Sequence, residues 1–131
     1  MDELPIESGD DVVRVRQHVR AAAAGTGLSL VDQTKLVTAA SELARNVLVH
    51  AGGGTARVEV AESAMGRAGI RITFTDEGPG IPDVDLALTD GWTTGDGLGL
   101  GLSGARRLVD EFELVSKPGV GTSVVVAKWS R

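Results

Sequence analysis

The stretch "GDGLGLGLSGARRL", Gly95 to Leu108, puts five glycines in ten residues and then turns into a charged, helix-forming segment. Glycine lets a main chain approach an anion closely, and a helix start aims unpaired N–H groups outward, so one reading is a phosphate cradle. The other reading is a flexible loop. The stretch contains G-x-G-x-x-G at Gly99, Gly101 and Gly104. A dinucleotide fingerprint should follow a strand directly and have an acid about 20 residues on. Here a polar, glycine-laden loop precedes the motif and "PGVGTS" fills the downstream window. A Walker A loop fails for want of G-K-[ST].

Before the glycines, "EGPGIPD" reads as a loop and Val84 to Leu88 as a short helical turn. Further upstream, "TARVEVAE" and "GIRITFTD" alternate apolar and polar residues, which predicts two strands joined through "SAMGRAG". Two helices are predicted ahead of them. In the first, Val12, Val15, Val19 and Ala22 recur at helical spacing from Asp10 to Ala24, ended by "GTG". The second runs from Ser29, a capping residue with Asp32 in the capping-box position, to about Ala51 without Gly or Pro. Downstream, "SGARRLVDEF" predicts a helix, and "ELVSK" and "TSVVVAKW" predict strands around the turn "PGVG". The order helix, helix, hairpin, loop, helix, hairpin predicts an α+β two-layer sandwich, with helices on one face of a mixed, mostly antiparallel sheet.

Composition narrows the function. At 131 residues and 42% hydrophobic, one globular domain spanning 1–131 is expected, with an aliphatic core because aromatics are only 3%. The 18 Asp and Glu against 13 Lys and Arg give a net charge of -5, which argues against nucleic acid or an anionic membrane as partner. No cysteine is present, so there is neither a disulfide framework nor a thiolate zinc site. The acidic "MDELPIESGDD" lacks the apolar core of a signal peptide, and a cytoplasmic protein is expected.

Two further motifs carry chemistry. On the second helix, Glu42 and Asn46 are four residues apart and share a face. A carboxylate can take a proton or orient a nucleophile, and an amide oxygen is a hard ligand suited to Mg2+. The bland reading is a solvated polar face, but Leu43 and Val47 place it beside the buried stripe. Arg45 is either a surface residue or a phosphate partner, and His50 suits the helix C-terminus. In "DEGPGI", Asp76 ends an apolar strand, where it could accept from an exocyclic amine or simply make an acidic turn.

Together, "ELARN", "DEGPGI", "GDGLGLGLSGARRL" and "GVGTS" resemble the N box, the two glycine boxes and the adenine-side box of the GHKL ATPase superfamily with its Bergerat fold. The resemblance spans about residues 30 to 130. It implies that Glu42 is the general base, that Asn46 binds Mg2+, and that Asp76 bonds the adenine amino group, with Gly78 and Gly80 shaping the pocket. It further implies an ATP lid over about 89–103, whose Gly97, Leu98, Gly99, Leu100 and Gly101 surround the triphosphate, and Thr122 near the adenine. Asp96 would be repelled by the triphosphate and is expected to face solvent. Arg106 and Arg107 either offset ATP charge or lie on the surface.

The length leaves no expected room for a transducer domain or a phosphoacceptor-histidine domain. The chain therefore resembles the small serine/threonine kinases of partner-switching regulation, and most of all the switch kinases of stressosome systems. That implies ATP and Mg2+ as cofactors, STAS-domain proteins as substrates, and a PP2C-type phosphatase as a possible target of activation. The alternative is an anti-sigma kinase that sequesters a sigma factor and phosphorylates its STAS-domain antagonist.

Overall fold

The computed structural model describes residues 2–80 and 101–131. Its elements are β1 (Asp2–Ile6), α1 (Gly9–Ala24), α2 (Leu30–Ala51), β2 (Gly54–Glu62), β3 (Ala68–Asp76), α3 (Gly101–Arg107), β4 (Glu111–Lys117) and β5 (Gly121–Trp129). The strands form one sheet in the order β1-β2-β3-β5-β4, antiparallel at every pairing. The two expected hairpins, β2–β3 and β4–β5, are joined through β3 and β5. The expectation of a mixed sheet gives way to a purely antiparallel one among the described residues.

The alternation on β3 decides which face is covered. Ile70, Ile72 and Phe74 are all at most 1% exposed. They meet the buried stripes of the helices, Val12, Val15 and Val19 on α1 and Leu36, Ala40, Leu43 and Val47 on α2. All three described helices lie on this face, as a two-layer α+β sandwich requires. Ser29 caps α2, its hydroxyl accepting from the Asp32 N–H at 3.1 Å.

Three local readings are corrected. No strand is expected in the N-terminal stretch, yet Asp2–Ile6 is an edge strand in register with Gly54–Val58. Pro5 can occupy it because an edge strand leaves one row of backbone groups unpaired. The helix in "SGARRLVDEF" stops at Arg107, and Glu111 and Phe112 already belong to β4, because the Asp110 N–H donates to the Ala127 carbonyl and draws the chain into the sheet. The Asp32 carboxylate does not complete a capping box but turns to Lys128 and Arg131.

Lys128 sits opposite Ile70 and so points into the helix-covered face, where it is 4% exposed. Its ammonium lies 3.6 Å from both Asp32 and Asp110, and Arg131 bonds Asp110 at 2.7 Å. Burial pushes the Asp110 carboxyl up, but the Trp129 N–H and the charges of Lys128 and Arg131 outweigh this and hold it below its ordinary value. Removing one partner of such a cluster strands charge in a desolvated place. Lys128→Met is therefore expected to cost about 3 kcal/mol in urea denaturation at pH 7. The wild-type contribution of Asp110 is present above the ordinary carboxylate range and is lost as pH falls through its lowered pKa. A variant as stable as the wild type would show the cluster to be dispensable.

The same topology gathers the site. Ile6 pairs with Gly54 just beyond the end of α2, so the start of α1, the end of α2, the end of β3 and the start of β5 meet at one edge of the sandwich. The Lys128 cluster marks the other edge, about 20 Å away along α2.

Candidate nucleotide site

A small pocket opens at that edge. Its walls come from Leu43, Asn46, Val47 and His50 on α2, Phe74 and Asp76 on β3, Leu102 on α3, and Thr122 and Val124 on β5. Five apolar side chains make a floor suited to a flat ring, and four polar ones surround it.

Asp76 and Thr122 are cross-strand partners. One carboxylate oxygen, Oδ1, accepts from the N–H groups of Gly78 at 2.9 Å and Thr122 at 3.3 Å. These bonds fix the rotamer and occupy that oxygen. The Thr122 hydroxyl in turn shares a 2.9 Å hydrogen bond with Ser116 across β4 and β5.

The glycines that sequence reading assigned to pocket shape have a backbone-packing cause. A Cβ on Gly78 would fall 2.5 Å from that of Ala51, and one on Gly80, at φ +79, would fall 2.5 Å from the Lys117 carbonyl oxygen. A Cβ on Gly121 would come within 2.2 Å of the Asp76 carbonyl oxygen. The Gly119 N–H donates to the Pro79 carbonyl at 2.8 Å. Thus the "DEGPGI" loop and the "GVGTS" turn lie backbone on backbone, and this contact aims Asp76.

Asn46 and His50, one turn apart on α2, both reach the pocket. The Asn46 amide nitrogen is buried with no hydrogen-bond partner among the described residues. Buried amides are normally paired, so this one fits a side chain whose partner is a ligand. Among the described residues no cluster of three or more His, Cys, Asp or Glu could hold a metal by itself. Burial pushes the His50 imidazole below its ordinary value, against an upward pull from the Asp76 charge. A neutral imidazole brings no charge to the helix end.

Glu42 does not line the pocket. Its side chain is only 13% exposed and accepts from Arg45 Nη1 at 2.8 Å. Of the expected site residues, the structure brings Asn46, Asp76 and Thr122 together, with Glu42 one helical turn from Asn46 on α2. Gly101 begins α3 and is buried, so the end of the expected lid is the first turn of a helix. Gly97, Leu98, Gly99 and Leu100 lie outside the described residues, as do Trp92, Asp96 and the expected turn at 84–88.

The two-layer sandwich thus gathers Asn46 of α2, the strand-end Asp76 and a glycine-packed turn around one pocket. The family model of histidine kinase-, DNA gyrase B-, and HSP90-like ATPases matches residues 31–130, and the chain belongs to that GHKL family. Serine/threonine-protein kinase RsbT of Bacillus subtilis is 45% identical to it over 121 residues, 92% of this chain and 90% of that one. An anti-sigma F factor of Caldanaerobacter subterraneus is 31% identical, covering 87% of this chain and 82% of the relative. The chain is thus a homologue of a serine/threonine kinase within an ATP-binding family. A crystal structure of the RsbU and RsbW domains of a Mycobacterium tuberculosis protein matches with a TM-score of 0.64 at 22% identity. That match covers 100% of this chain and 33% of the other, and it speaks for the fold alone. No described helix is long and apolar enough to cross a membrane.

Proposed function

We propose that the protein is a cytoplasmic, Mg-ATP-dependent serine/threonine kinase of a partner-switching system, acting on a STAS-domain protein and, once released, activating a PP2C-type phosphatase. The observation that carries this reading is the α2 arrangement, with the Asn46 amide nitrogen buried in the pocket without a partner among the described residues and the Glu42 carboxylate one turn away on the same helix.

Bound Mg-ATP supplies an activated phosphoryl group and the charge that neutralises it. The protein supplies position. Asp76 keeps Oδ2 available to accept from the exocyclic amine of adenine while Oδ1 is held by Gly78 and Thr122. The Asn46 amide oxygen is the protein ligand for Mg2+. Glu42, steadied by Arg45, orients the incoming serine or threonine hydroxyl and takes its proton. The stretch over about 89–103 serves as the lid, with Gly97 to Gly101 against the triphosphate.

Asn46→Ala is expected to lower ATP affinity about tenfold in the presence of Mg2+ and to leave the Mg-free affinity unchanged. Isothermal titration with and without Mg2+ checks this, and identical affinities in both proteins would refute the ligand role. The 31% identity to an anti-sigma factor supports a second reading, in which the chain sequesters a sigma factor and phosphorylates only its antagonist. Capture of a sigma subunit by the ATP-loaded protein would favour that reading.

A further inference from the structure

Asp76, Thr122 and Ser116 stand in one row across β3, β5 and β4, with Asp76 opposite Thr122 and Thr122 opposite Ser116. Cross-strand partners point to the same face of a sheet, and this row faces the helices where the pocket opens. Asp76 and Thr122 line the pocket. Ser116 is half-buried beside Thr122 on the edge strand and is not one of the pocket's walls. The two hydroxyls share a 2.9 Å hydrogen bond, and Ser116 Oγ also lies 3.5 Å from the Gly121 carbonyl oxygen.

Each hydroxyl has a single proton to give. If Thr122 spends its proton on Ser116, it offers the pocket lone pairs only; if Ser116 donates, Thr122 keeps its proton for the pocket. The 2.9 Å contact lies within the ordinary O–H···O range and the 3.5 Å one outside it, so of these two acceptors Thr122 is the better for Ser116. Adenine calls for the same direction. With Asp76 Oδ2 accepting from the exocyclic amine, the ring nitrogen beside that amine, N1 on one edge or N7 on the other, is an acceptor and requires a donor. We propose that Ser116 is a positioning residue for the nucleotide, donating to Thr122 and so turning the Thr122 proton onto the adenine ring nitrogen next to the amine. The proposal rests on the ATP reading and names a residue outside the pocket that sets its preference for the adenine edge. Asp76 accepts one hydrogen bond from the base, and the Ser116–Thr122 pair donates one to it.

The test is calorimetric titration of the full chain with ATP, 1-deaza-ATP and 7-deaza-ATP, each analogue having one ring nitrogen replaced by C–H. Wild type is compared with Ser116→Ala, Ser116→Thr, Thr122→Val and the Ser116→Ala/Thr122→Val double variant, and thermal melts check the fold of each. Ser116→Ala is expected to weaken ATP binding about three- to tenfold, and Ser116→Thr, which keeps the hydroxyl, to retain most of the wild-type affinity. That penalty should vanish with the analogue that lacks the contacted nitrogen, and Ser116→Ala should add nothing to Thr122→Val. Wild type itself should bind that same analogue about three- to tenfold more weakly than ATP, a result that needs no variant to fold. Equal wild-type affinity for ATP and both analogues would overturn the proposal, as would a Ser116→Ala penalty that is the same for all three nucleotides and so reports only bracing of β4 against β5. In both cases the ATP reading stands. Failure of the wild type to bind ATP at all would overturn the proposal together with that reading.

Discussion

Glu42→Gln is expected to slow phosphate transfer by about 10²- to 10⁴-fold at saturating ATP while leaving ATP affinity unchanged. The amide has the shape of the carboxylate and keeps an oxygen for Arg45 Nη1, which now bonds Glu42 at 2.8 Å, so α2 has no reason to move. What is lost is the ability to accept a proton. Because Glu42 lies outside the pocket lining, the nucleotide contacts through Asn46, Asp76 and Thr122 are untouched. Single-turnover kinetics with a saturating acceptor separate the two effects. Transfer at the wild-type rate would remove Glu42 from the role of base, and a parallel loss of ATP binding would show that it supports the pocket instead.

The second large effect is expected at Asp76. In Asp76→Asn, the remaining oxygen still satisfies the N–H groups of Gly78 and Thr122, which leaves the new amide NH2 facing the position of Oδ2. A donor then confronts the exocyclic amine of adenine, itself a donor. The loss is expected to be about 2–4 kcal/mol, or roughly 30- to 1,000-fold in ATP affinity. Inosine triphosphate, with a carbonyl in place of the amine, gives the reverse pattern, poor binding by wild type and recovery in the variant. Equal affinity of both proteins for ATP would place the adenine edge elsewhere. If the variant lost both nucleotides and melted early, Asp76 would be acting as the strut between its loop and the β4–β5 turn.

Much of this site was legible because its chemistry sits on elements with strong local signals. Helix α2 has a serine cap, no glycine or proline before Gly52 and a broad apolar stripe, so its span and the shared face of Glu42 and Asn46 could be read directly. Asp76 and Thr122 were assigned through separate motifs, and β-pairing makes them neighbours. His50 could have been found by the same reasoning, since it follows Asn46 at the spacing that linked Asn46 to Glu42. Ser116 carried no such sign. It reaches Thr122 only because β4 pairs with β5.

The misread segments share a cause. In β1 the two apolar residues Leu4 and Ile6 flank a proline, and only pairing with β2 makes that segment a strand. After Arg107, Leu108, Val109 and Phe112 continue an apolar pattern that suits a helix, whereas the bond from Asp110 N–H to Ala127 turns the chain into the sheet. The glycines of "DEGPGI" and "GVGTS" also answer to packing that the sequence does not display, since Gly80 and Gly121 each face the backbone of the other segment and Gly78 faces Ala51 of α2.

The central claim is that this pocket holds ATP for transfer to a protein hydroxyl, and the most direct measurement is transfer from γ-labelled ATP to the STAS-domain proteins encoded beside the gene, with the modified residue located by mass spectrometry. The account expects label on a serine or threonine, dependent on Mg2+ and absent with Glu42→Gln. Measured ATP binding with no label on any acceptor would contradict it, and the pocket would then belong to a nucleotide-gated binding protein.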